Sequence, residues 1–220
     1  MKYRVPKHII SVAHRGYSGK YKDNSLISFK KAFQKNFDMI EMDLQCSSDG
    51  EIFIFHDLYI EDKKVNLMTS NQLLKKKVLT LREFLYQIDL NNDKKILFDL
   101  KGDEYIAYKL AEFIKMFQLD LNKFYIASFN QKHLEIIRKK LPNAKLGFIT
   151  ENSYINENLK QIMKNMELLI VSWEMLDHKT VSWCRDNQKL IFTYTMKNKK
   201  ILRHMLKYNV HGIISNWKLN

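Results

Sequence analysis

The chain has 220 residues, 45% of them hydrophobic, with only six Gly and two Pro. That length suits one domain spanning 1–220, and a core that hides about 70% of the unfolded surface needs neither a disulfide nor a structural metal to fold. The formal charge of +13 favours an anionic partner, whether nucleic acid, a phospholipid surface or a small phosphorylated molecule.

In chain order, the charged start at Met1–Lys7 is followed by an apolar run, Ile9–Ala13, too short for a signal-peptide core. His8–Ala13 reads as a buried strand. Asn24 or Ser25 can cap a helix whose apolar face is Leu26, Phe29, Phe33 and Phe37. Met39–Gln45 is the next strand, Ser48–Glu51 a turn, and Ile52–Phe55 a short strand that ends in His56-Asp57. A polar stretch follows, and Leu81–Ile88 then reads as helix. Further strands are expected at Ile96–Leu100, Phe124–Ala127, Lys145–Ile149, Leu168–Ser172, Leu190–Thr195 and Gly212–Ile214. An apolar stripe from Ile106 to Phe117 marks a helix, and helical patterns recur near 131–140, 155–166, 177–187 and 198–208. Strict alternation of strand and helix implies a parallel sheet. Eight strand positions imply an α/β fold of the (β/α)8 TIM-barrel type, with a minimal insertion after the second strand. A doubly wound open sheet is the alternative on pattern alone. No segment approaches the roughly 18 apolar residues of a membrane span. Cys46 and Cys184 lack CxxC spacing, so a soluble protein of a reducing, cytoplasmic compartment is expected.

Active sites of such barrels lie at the C-terminal ends of the strands. His14-Arg15 ends the first strand. Glu41 and Asp43 share one face of the second, and Asp99 and Lys101 share one face at the end of the third. Carboxylates set among Ile40, Met42 and Leu44 are costly in a barrel interior unless paired or bound to a cation. Three carboxylate ligands suit a hard cation such as Mg2+ or Ca2+. Trp173, Phe129 and Tyr194 fall at or near strand ends, where they are candidates to line a pocket; Phe129 serves equally well as an ordinary core aromatic.

The run His14-Arg15-Gly16, then Asp23-Asn24-Ser25, Glu41-Met42-Asp43, Ser48-Asp49-Gly50 and His56-Asp57 resembles the signature of the glycerophosphodiester phosphodiesterase family. The resemblance continues through Thr80-Leu81 with Glu83, Phe98–Lys101, Ser128-Phe129, Tyr194-Thr195 and Gly212–Ile214. It implies a metal-dependent (β/α)8 phosphodiesterase that converts glycerophosphodiesters to glycerol 3-phosphate and an alcohol such as choline or ethanolamine. It also implies that Glu41, Asp43 and Asp99 hold one divalent cation, Mg2+ or Ca2+, that His14 and His56 are the acid–base pair, and that Arg15 and Lys101 hold phosphate oxygens. Trp173 and Tyr194 are the added candidates for substrate contact. In the family picture a glycerol hydroxyl attacks first, and water then opens the cyclic phosphate.

The sequence departs from the family pattern at Asp23 and Asp99, where Glu is usual, at Lys197, where Asn is common, and after His56-Asp57, where Leu58–Lys63 replaces an Arg-Thr-Thr segment. An Asp at position 99 also resembles the related sphingomyelinase D-like phospholipases, so release of a cyclic phosphate from a lysophospholipid is the alternative activity. A basic module for nucleic acid or acidic membranes is the competing non-enzymatic class. It leaves the two histidines, three carboxylates and lysine in register unexplained, so the expected partner is a small glycerophosphodiester or lysophospholipid, not a nucleic acid.

Overall fold

The computed structural model describes residues 6, 8–88 and 94–219; most of the charged N-terminal run lies outside them. Its strands and helices alternate in chain order: β1 (Ile10–Ala13), α1 (Leu26–Gln34), β2 (Met39–Cys46), β3 (Ile52–Ile54), β4 (Tyr59–Ile60), β5 (Lys63–Lys64), α2 (Ser70–Lys75), α3 (Leu81–Gln87), β6 (Lys95–Leu100) and α4 (Tyr105–Met116). The order continues with β7 (Phe124–Ser128), α5 (Gln131–Lys140), β8 (Lys145–Thr150), α6 (Asn156–Ile162), β9 (Leu168–Ser172), α7 (His178–Asp186), β10 (Leu190–Met196), α8 (Lys199–Met205) and β11 (Gly212–Ser215). Eight of these strands form one parallel sheet. It closes because β1 pairs in parallel with β11 on one side and β2 on the other. Closure rules out the open-sheet alternative: the fold is a (β/α)8 barrel. β3 is an antiparallel appendage on β2.

The period-two alternation of each strand separates two apolar layers. In β2, Ile40, Met42, Leu44 and Cys46 join the outer layer beneath the helices, while Met39 packs in the barrel interior. Glu41 and Asp43 therefore share the interior face, and their apolar neighbours point away from them. The same division in β6 sends Ile96, Phe98 and Leu100 outward and Leu97 inward. Inside the barrel, Phe192 fills space that only a residue without a Cβ leaves open: a methyl group on Gly212 would sit 2.6 Å from its ring. Leu97, Ile149, Ile170 and Ile214 form the floor on which the polar end of the barrel rests.

Helix caps follow local rules. Ser25, not Asn24, caps α1, with its side chain accepting from the Ser28 amide in a capping box. Phe37 lies beyond α1 but is fully buried. Thr80 caps α3 in the same way through the Glu83 amide.

The stretch after His56-Asp57, expected to be merely polar, contains the β4–β5 hairpin and α2. It has a small core of its own made by Phe53, Val65, Met68 and Leu73, with Ile60 and Val78 packed on it. Two-residue strands are too short for any periodicity to show in the sequence. Among the described residues, no helix is long and apolar enough to cross a membrane. Cys46 and Cys184 are buried and unpaired, and burial pushes each thiol up to about 12, so neither is a ready nucleophile.

Candidate active site

The polar cluster stands at the C-terminal ends of the strands. Register puts Asp43 of β2 directly beside Asp99 of β6. Glu41 lies one side-chain step deeper on β2. One oxygen from each of Glu41, Asp43 and Asp99 comes within 4.8 Å of the other two, and all three residues are buried.

His14 and Arg15 arrive from the end of β1. The His14 amide extends the ladder to Ser215 at 2.9 Å, and its Nδ1 lies 2.7 Å from Oδ1 of Asn216, just past β11. The chain then reverses through left-handed φ values at Arg15 (53°) and Gly16 (77°). A Cβ on Gly16 would lie 2.4 Å from Ser28 Oγ, so this turn against α1 requires glycine. The reversal aims the Arg15 backbone N–H at Glu41 Oε2, 2.7 Å away, and sets its Nε 3.1 Å from Asp43 Oδ2. Lys101, one step beyond Asp99 on the same face, reaches Asp99 Oδ2 at 2.7 Å and Asp43 Oδ1 at 3.5 Å. Its ammonium also lies over the Phe129 ring, 5.1 Å from the centroid.

His56 follows β3 on a loop fixed from below. Gln45 Nε2 donates to the carbonyls of Phe55 (3.0 Å) and Asp57 (2.7 Å), one on each side of His56. The His56 Nδ1 donates in turn to Asp57 Oδ1 at 2.7 Å. His14, His56, Arg15, Lys101 and the three carboxylates line one cavity of about 210 Å³, whose wall also includes Phe129, Glu151, Tyr194 and Lys197.

Electrostatics here follow from burial. Burial, with Asp43 and Asp99 close by, raises the Glu41 carboxyl well above the usual carboxylate range. Burial lifts Asp99 to about 7, with Asp43 adding to the rise and Lys101 opposing it. His14 is lowered to about 4, first by burial and then by Arg15, so its imidazole is neutral at pH 7. Three carboxylates face two cations, Arg15 and Lys101, leaving one negative charge uncompensated. Asp99 Oδ1 is buried without a hydrogen-bond partner. An all-oxygen donor set with an orphaned carboxylate oxygen fits a hard divalent cation.

The sequence-predicted residues thus converge, with one exception. Tyr194 lines the cavity, donating its hydroxyl to the Thr150 carbonyl at 3.2 Å and meeting Phe129 edge-on at 6.2 Å. Phe129 is 44% exposed, a wall residue and not a core one. Trp173 is not among the lining residues: it opens a 3-10 turn after β9, and its ring packs edge-on against His204 of α8. Three polar residues of the site carried another reading or none. Asn24, taken for a possible helix cap, is buried and donates from Nδ2 to Asp43 Oδ2 at 2.8 Å. Asn216 orients His14. Gln45 continues the Glu41, Asp43 spacing by two, and that periodicity was its available signal.

A parallel eight-stranded barrel with buried acids, two cationic side chains and two histidines at its C-terminal mouth defines a barrel enzyme whose acids could hold a metal ion. The chain belongs to the glycerophosphoryl diester phosphodiesterase family, whose pattern matches residues 14–217, and is a phosphoric diester hydrolase. A glycerophosphodiester phosphodiesterase of Bacillus altitudinis is 25% identical over 93% of this chain and 93% of its own. The crystal structure of a glycerophosphodiester phosphodiesterase from Thermotoga maritima, 23% identical, gives a TM-score of 0.81 and covers 96% of each chain. An Oleispira antarctica phosphodiesterase solved with its product sn-glycerol-3-phosphate is 19% identical, with a TM-score of 0.82 over 94% of this chain and 92% of that one. Both likenesses establish the fold.

Proposed function

We propose that this chain, acting as one catalytic domain, hydrolyses glycerophosphodiesters to glycerol 3-phosphate and an alcohol. The observation that carries the reading is the joint placement of Glu41, Asp43, Asp99, Arg15, Lys101 and both histidines in one cavity. Family membership and the glycerol 3-phosphate held by the Oleispira enzyme support it.

Glu41, Asp43 and Asp99 are the residues that would hold a divalent cation, Mg2+ or Ca2+. Such an ion neutralises phosphate charge and acidifies a hydroxyl beside it. With all three carboxylates ionised, such an ion together with Arg15 and Lys101 would leave one excess positive charge, the complement of a phosphodiester anion. Arg15 and Lys101 hold the non-bridging oxygens. Neutral His14, with Nδ1 committed to Asn216, presents Nε2 as the acceptor for the proton of the attacking glycerol hydroxyl. As the new P–O bond forms and the bond to the alcohol breaks, His56 gives its proton to the leaving oxygen. The adjacent Asp57 carboxylate keeps Nδ1 of that ring protonated while Nε2 works. In the second half the two roles reverse, and water opens the ring. Tyr194 and Phe129 wall the cavity, while Trp173 serves packing.

Phosphorus NMR of a glycerophosphodiester digest tests the reading. Glycerol 3-phosphate should be the final product. A cyclic phosphate that accumulates and persists would overturn it in favour of the phospholipase D-like alternative.

A pH dependence follows for the cation. In the metal-free protein Asp99 is protonated below about pH 7, and Glu41 is shifted the same way. Binding requires the carboxylates, so it must release protons on the acid side of neutrality. Metal affinity should rise by about tenfold or more per pH unit on the acid side of pH 7. Calorimetry in buffers of different ionisation enthalpy reads both the affinity and the proton release. An affinity that stays constant between about pH 5 and 8 contradicts the assignment.

A further inference from the structure

A second and larger cavity, about 540 Å³, opens beside the catalytic one, and Arg15 and His56 form walls of both. Its sides come from two segments: the loop from Lys22 to Leu26 before α1, and the insertion, through Ile60, Leu74, Lys76 and Lys77. Under the function proposed above, the alcohol that departs toward His56 extends into this space.

Its charged walls indicate what that alcohol carries. Three lysines line it, Lys22, Lys76 and Lys77, together with three acids, Asp23, Asp57 and Glu83. Half of these are already engaged. Asp23 holds Arg15 at 3.2 Å, Asp57 holds His56, and Lys76 pairs with Glu61. Lys22 and Lys77 are exposed and form no ion pair among the described residues, and the one acid in the same state is Glu83. The free charge of the cavity is therefore cationic. Recognition of a quaternary ammonium group uses several aromatic faces around the cation, and this cavity has a single aromatic lining residue, Phe55.

We propose that the second cavity is the leaving-alcohol site, that it selects alcohols bearing an anionic group of their own, a second phosphate above all, and that Lys22 and Lys77 determine this preference. A choline or ethanolamine leaving group meets two unpartnered ammonium groups there and no aromatic cage.

Three diesters whose leaving alcohols carry a positive, no and a negative charge test the proposal: glycerophosphocholine, glycerophosphoglycerol and bis(glycerophospho)glycerol. In the last, the departing glycerol carries a second phosphate. The expected order of kcat/KM places bis(glycerophospho)glycerol first and glycerophosphocholine last, with the gap shrinking at high salt. The double variant K22Q/K77N, in which Asn suits the left-handed φ of 58° at position 77, should lower kcat/KM for bis(glycerophospho)glycerol by about fivefold or more, the scale of two exposed ion contacts. It should leave glycerophosphocholine unchanged. An equal loss on all three substrates, or a wild-type preference for the choline ester, overturns the proposal. If none of the three is cleaved, the hydrolytic reading itself fails. Calorimetry with glycerophosphoglycerol alone, the leaving alcohol, then decides the cavity: binding lost in the double variant upholds it, and no binding to wild type refutes it.

Discussion

Replacing His56 by alanine should lower kcat by about 10²-fold or more while leaving KM and the melting temperature close to wild type. The side chain is 39% exposed, and its polar partner is the still more exposed Asp57, so little packing is lost with it. The loop keeps its shape because Gln45 holds the carbonyls on either side of residue 56, neither of which belongs to the imidazole. His14→Ala should cost a similar factor in kcat. It also frees the Asn216 amide and opens space beside Arg15, so a modest loss of stability accompanies it. Because the proposed mechanism sets the two rings at the two ends of one displacement, the double variant should be barely slower than either single one. Steady-state kinetics with melting curves on the three variants check this. A His56→Ala enzyme with full turnover would remove that ring from the chemistry.

The second large effect concerns Asp43. This carboxylate is touched by Arg15, Lys101 and Asn24 at once. Asp43→Asn should take activity down by more than about 100-fold, the scale lost when a group that stabilises developing charge is removed. It should weaken Mg2+ or Ca2+ binding in direct titration, while Arg15 and Lys101 each keep a carboxylate partner, Asp23 and Asp99. Chelation supplies the matching test on the wild-type enzyme: EDTA should abolish turnover, and added Mg2+ or Ca2+ should restore it. Full activity in chelator would refute the cation assignment for all three carboxylates.

The barrel was legible because eight strand signals recur in strict alternation with helical ones, a pattern that local residue choice and burial both enforce. The acidic site was legible for a related reason: two residues of strand are one step on one face, so Glu41-x-Asp43 and Asp99-x-Lys101 announce their shared direction. What the sequence left open was three-dimensional. Asn24 is a plausible helix cap by residue type, and nothing local says that its left-handed φ of 49° turns it to Asp43 instead. Asn216 stands 202 residues from His14, and their contact exists only because the sheet closes. Trp173 sits at a strand end, but position along a strand does not fix how the chain leaves it, and a 3-10 turn carries the ring out to α8. The insertion folded around four apolar residues too widely spaced to show a period.

The hydrogen bond between His14 and Asn216 ties the proposed base to the seam where the first and last strands of the barrel meet. All three carboxylates, Lys101 and His56 belong to the first half of the chain, so a nascent polypeptide possesses nearly the whole catalytic inventory early in its synthesis. The imidazole at position 14 acquires its orienting partner only when β11 slots in beside β1. Under the proposed mechanism turnover is thereby made conditional on circular completion of the sheet, and an unfinished or C-terminally nicked chain holds its reagents without the latch that aligns them.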